Sequence, residues 1–107
     1  MKQTEITFVA PTQNTDGSSI AEPLSYNVYI DTVQPPAKVY PSPAGTPSTP
    51  GASITLTFAA LGFTPTPNTK YYVDVESVDA DGVSTPSASV SFTYAPAPNA
   101  PTGLTVG

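Results

Sequence analysis

Two carboxylates, Asp74 and Glu76, stand two residues apart in the stretch Thr69-Lys70-Tyr71-Tyr72-Val73-Asp74-Val75-Glu76-Ser77-Val78. On an extended strand that spacing sets both side chains on one face, about 7 Å apart, a separation that paired acids use in glycoside cleavage. Tyr71, Val73 and Val75 alternate with them, so the same pattern describes a half-buried strand with its carboxylates in water. The solvated face is the expected reading. Just beyond, Asp79-Ala80-Asp81-Gly82 has the opening of a calcium loop. It lacks the remaining oxygen ligands and the glutamate at the twelfth position, and a hairpin turn explains it in full.

Other chemistry lacks its residues. The chain has no His and no Cys, which removes serine triads, thiol nucleophiles and zinc sites built on imidazole or thiolate. No Gly-rich loop precedes a helical pattern, and no helix of any length is expected, so nucleotide binding has no support. No cofactor and no enzymatic activity are expected. Three Lys (Lys2, Lys38, Lys70) face eight acids, giving a net charge of −5. A protein so poor in cations has little with which to release counterions from nucleic acid or to hold an anionic membrane. After Met1-Lys2 no apolar run of seven or more follows. The expectation is a chain made in a cytoplasm and not exported by a standard signal.

What must position any site is a set of short strands. The 107 residues suffice for one core, and the fourteen Pro and seven Gly cluster between apolar runs, as punctuation of a β protein. Glu5–Val9 alternates, with Ile6 and Phe8 inward. Leu24, Tyr26, Val28 and Ile30 face one way, while Ser25, Asn27, Tyr29 and Asp31 face the other. Lys38-Val39-Tyr40, framed by prolines, reads as an edge strand. Ser53–Phe58 alternates with Ile54, Leu56 and Phe58 inward, and Leu61 or Phe63 closes the bottom of the core. A last strand spans Ala88–Tyr94. Tyr29, Tyr40 and Tyr72 fall on outward or edge positions, a candidate interaction patch on a low-charge sheet.

Thr69-Lys70-Tyr71-Tyr72-Val73 resembles the tyrosine corner of fibronectin type III domains, in which Tyr71 would be the structural corner. Phe8 with Pro11 is similar to the Trp and Pro of that family's second strand, with Phe as the departure. Tyr26-Asn27-Val28-Tyr29 resembles its third strand, and Gly82–Ser87 its last loop. The resemblance covers Glu5 to Tyr94 and implies an all-β sandwich of two antiparallel sheets. It implies a domain over residues 1–95 and a Pro-rich tail over 96–107.

The family's first strand has no counterpart at the N-terminus. A segment of its type stands at the other end, Pro98-Asn99-Ala100-Pro101-Thr102-Gly103-Leu104-Thr105-Val106-Gly107. Three readings follow: a loose linker, completion of its own sandwich, or donation of Pro101, Leu104 and Val106 to another copy. In this fold the last strand ends at the pole opposite the start of the first. Self-completion in the usual direction must therefore cross about 30 Å, and six residues span at most about 20 Å.

The expected role is a non-enzymatic structural or binding module. Its partner would be protein, either itself through C-terminal strand donation or a multimeric virion protein, with neither nucleic acid nor membrane. The resemblance extends to the sandwich domains of tailed-phage particles, implying a capsid decoration or a tail or baseplate component located on the virion. The alternative is an extracellular spacer or weak glycan-binding module of a secreted bacterial enzyme or adhesin.

Overall fold

A computed structural model describes residues 2–82 and 89–107. Six strands run through it: β1 (Glu5–Val9), β2 (Ser25–Asp31), β3 (Val39–Pro41), β4 (Ser53–Thr57), β5 (Lys70–Val78) and β6 (Val90–Thr93). They form two antiparallel sheets, β1-β4 and β3-β2-β5-β6, and the architecture is an all-β sandwich. Among the described residues no helix is long and apolar enough to cross a membrane.

Period-two alternation decides what each sheet buries. Ile54 and Leu56 of β4 meet Tyr26, Val28 and Ile30 of β2 and Tyr71 and Val73 of β5 in one cluster, with Ile6 and Phe8 packed against it. Phe8 sets its ring edge-on to Tyr26 at 4.9 Å, an arrangement favoured by the ring quadrupoles. Each of these side chains, once buried, is worth about 1.5–3 kcal/mol.

Phe58 departs from the expected strand, and the chain does contain one turn of helix. β4 ends at Thr57, and Phe58–Leu61 forms α1. The Thr57 hydroxyl caps it by accepting the Ala60 N–H at 3.1 Å. Gly62, at φ 76°, takes the left-handed conformation that ends such a turn and gives its N–H back to Ala59. Three residues apart on one face, Phe58 and Leu61 are both buried, which an extended strand would not allow. Phe63 is buried with them, so both candidate residues close the bottom of the core.

The expected edge strand is β3, shifted to Val39–Pro41 and, among the described residues, paired with β2 alone. The last strand is described as Val90–Thr93; Ala88 and most of the Gly82–Ser87 loop lie outside the described residues. Residues 94–107 form no strand, and Leu104 and Val106 are 92% and 98% exposed. The Cα radius of gyration is 17.8 Å, against about 13 Å for a compact chain of this length.

Candidate functional site

The outward face of the four-stranded sheet carries the residues singled out for chemistry. Register places Asn27 opposite Glu76, Tyr29 opposite Asp74 and Asp31 opposite Tyr72. Val39 and Pro41 of β3 stand beside Tyr29 and Asn27, and Ser91 of β6 stands beside Tyr72. Side chains paired across antiparallel strands share a face, so these residues form one surface.

Neither Asp74 nor Glu76 is simply solvated. Glu76 Oε1 accepts from Asn27 Nδ2 at 2.9 Å and from the Tyr29 hydroxyl at 2.8 Å. Asp74 is only 7% exposed, and its Oδ1 accepts a hydrogen bond from the Ser89 hydroxyl. The Gln34 carboxamide oxygen lies 3.1 Å from that same hydroxyl. The expectation of two acids standing free in water is thus corrected: Asn27 and Tyr29 of β2 hold Glu76, and Ser89 holds Asp74. Bonding to Glu76 holds the Tyr29 phenol above its ordinary pKa, and slight desolvation and the carboxylate charge act in the same direction.

Of the three tyrosines expected on one patch, the structure brings two together. Tyr29 and Tyr72 share the outer face, half-buried, with Lys70 Nζ 5.3 Å over the Tyr72 ring. Tyr40 does not join them. It pairs with the buried Val28, so its ring turns inward and meets Phe63 edge-on at 5.6 Å. A three-residue strand framed by loops gave the alternation too few positions to fix which face Tyr40 takes.

Tyr71 faces the core instead. Its ring packs on Phe63 at 5.1 Å and Phe92 at 5.5 Å, and its hydroxyl accepts the Thr66 N–H at 2.8 Å. Pro101, Leu104 and Val106 stand exposed on the tail, far from the tyrosines in sequence and in no strand.

A concavity of about 630 Å³ is lined by Val9, Ile20, Leu24 and Val75 together with Asp16, Asp79 and Asp81. Two of its acids, Asp16 and Asp79, are committed to turns. Asp16 accepts from the Ser18 hydroxyl and N–H, which hold its carboxyl below the usual carboxylate range. Asp79 Oδ1 accepts the N–H groups of Asp81 and Gly82 at 2.8 and 2.9 Å, closing the tight turn that the sequence announces. Among the described residues no group of three or more His, Cys, Asp or Glu could hold a metal ion.

Sequence reasoning missed Asn27 and Ser89 as partners of the two acids, and Gln34 as a neighbour of Ser89. The pairing of Asn27 with Glu76 follows once register is known; the contacts of Gln34 and Ser89 depend on loop paths that carry no periodic signal. No protein-family model, curated protein or solved structure matches this chain.

Proposed function

We propose that this chain is a non-enzymatic binding module that docks, through the outer face of its four-stranded sheet, on a multimeric protein assembly. The observation that carries the reading is how the outer-face acids are used. Glu76 is held by Asn27 and Tyr29, and Asp74 by Ser89, so both serve as cross-strand braces. A general acid or base works through an oxygen turned to the substrate, whereas Glu76 Oε1 and Asp74 Oδ1 are turned to neighbouring side chains of the sheet. What remains is a sheet surface of braced tyrosine and amide groups, with Val39 45% exposed at its edge. Such a mixture of aromatic and neutral polar groups suits a protein interface.

The sandwich fold, the sparse charge and the resemblance to fibronectin type III domains support a setting on a tailed-phage virion, as a capsid decoration or a tail or baseplate part. The glycan-binding alternative draws on the same tyrosines. Against it, Lys70 Nζ already lies over the Tyr72 ring, a face that a sugar would stack on.

The test is co-sedimentation with the particle fraction of the source organism or its phage. Wild-type protein is expected in the pellet at saturable stoichiometry. A Tyr72→Asp, Val39→Asp variant with unchanged circular dichroism should stay in the supernatant. Equal pelleting of both proteins, or binding to a glycan array but to no particle, would overturn the reading.

A further inference from the structure

The edge of β1 and the tail are two halves of one unmade strand pair. Thr4 O accepts the Phe58 N–H at 2.9 Å, and the Ala10 N–H donates to Ala52 O at 2.8 Å. Antiparallel ladders bond alternate residues, so the even positions of β1 face β4. The peptide groups of Glu5, Thr7 and Val9 point the other way. Among the described residues no strand pairs with that edge. Ile6 and Phe8 lie only half-buried beneath it. In the tail, Leu104 and Val106 alternate with Thr105 and are almost wholly exposed. An open edge and an exposed apolar strand pattern are complementary, and water satisfies neither fully.

One chain cannot easily join its own halves. Tyr94 is bonded to Thr69 and Asn68, and Gln3 Nε2 donates to Thr93 O at 3.3 Å, so the tail leaves beside the N-terminal end of β1. A strand antiparallel to β1 must enter at the other end, near Val9. In the structure residues 96–107 are instead exposed throughout and form no strand, in a molecule with extents of 72, 28 and 18 Å. A second copy stacked head to tail on the pole where the tail leaves presents its Val9 end to the tail without any reversal.

We propose that Leu104–Val106 of one chain adds as a strand to β1 of a second copy, head to tail. Leu104 lies beside Phe8 and Val106 beside Ile6, and Thr105 exchanges backbone hydrogen bonds with Thr7. This register puts both apolar side chains on the core side and both threonines outward. The contact is heterologous: each copy gives a tail and receives another, and the association is open-ended. It uses a different surface from the outer sheet face, so either reading can fail while the other stands.

The test uses the full chain, which has no cysteine to interfere. Chains carrying Thr7→Cys are mixed with chains carrying Thr105→Cys under mild oxidation. All three substituted positions, including the control at Thr55, are exposed. The mixed disulfide is expected to form about tenfold faster than in a Thr55→Cys and Thr105→Cys mixture, since only the first pair falls within disulfide reach. In parallel, wild-type mass in sedimentation should rise with concentration. A Leu104→Ser, Val106→Ser chain should associate at least about tenfold more weakly, because the buried apolar area is lost without any change of charge. Equal cross-linking rates in the two mixtures, or a monomeric wild type at every concentration, would overturn the proposal.

Discussion

The hydroxyl of Tyr71 accepts the backbone N–H of Thr66 at 2.8 Å, tying β5 to the turn five residues upstream. Removing that oxygen leaves the ring packed on Phe63 and Phe92 and takes away only the hydrogen bond. Tyr71→Phe is therefore expected to destabilise the sandwich by about 1 kcal/mol. Urea unfolding would show a lower midpoint with an unchanged slope. An unchanged midpoint would mean that water replaces the hydroxyl without loss.

Tyr26 presents the opposite case. It is among the largest fully buried side chains, and its hydroxyl has no hydrogen-bond partner among the described residues. Burial of an unpaired polar atom opposes folding, and the ring contact with Phe8 does not need the oxygen. Tyr26→Phe should leave stability unchanged or raise it by up to about 1 kcal/mol. The same chemical change at two tyrosines thus has opposite expected signs. A clear loss of stability in Tyr26→Phe would reveal a partner for that hydroxyl.

Alkali should weaken the fold through both outer and inner tyrosines. The bond to Glu76 raises the Tyr29 pKa above 10.0, and burial raises that of Tyr26. A folded-state pKa above the unfolded value means that the stabilisation is whole below the unfolded value, near pH 10.0. It is lost as the pH rises through the folded values. The midpoint of urea unfolding is expected to hold at neutral pH and to fall above that region. In absorbance titration, Glu76→Gln should shift one phenol back toward the ordinary range. A titration curve identical to wild type would disprove the coupling.

Alternation made most of the sandwich legible. Leu24, Tyr26, Val28, Ile30, Ile54 and Leu56 are buried as their spacing demands, because a strand has only two faces and one must be dry. Phe58 escaped that reading. It continues the apolar alternation of β4, yet the hydroxyl of Thr57 and the left-handed Gly62 favour a turn of helix, and a helix buries Phe58 just as well. Tyr40 escaped for lack of length. The outer face was legible as to which residues line it, but a period of two records direction only. It cannot tell a residue facing water from one covered by its neighbours, which is the position of Asp74, 7% exposed and bonded to Ser89.

That contact gives a prediction of its own. The Ser89 hydroxyl is the hydrogen-bond donor to Asp74, and the carboxylate is nearly closed off from solvent. Ser89 itself is exposed, so its side chain contributes little by packing. Ser89→Ala should therefore cost about 1–2 kcal/mol in the wild-type background, since it strands a covered charged group. With Asp74→Ala already present there is no carboxylate to strand, and the further cost should fall below about 0.5 kcal/mol. Urea unfolding of the four proteins in this cycle measures the difference directly. If Ser89→Ala costs the same in both backgrounds, the hydroxyl does not serve Asp74, and the outer-face acids are not braces but free groups open to chemistry.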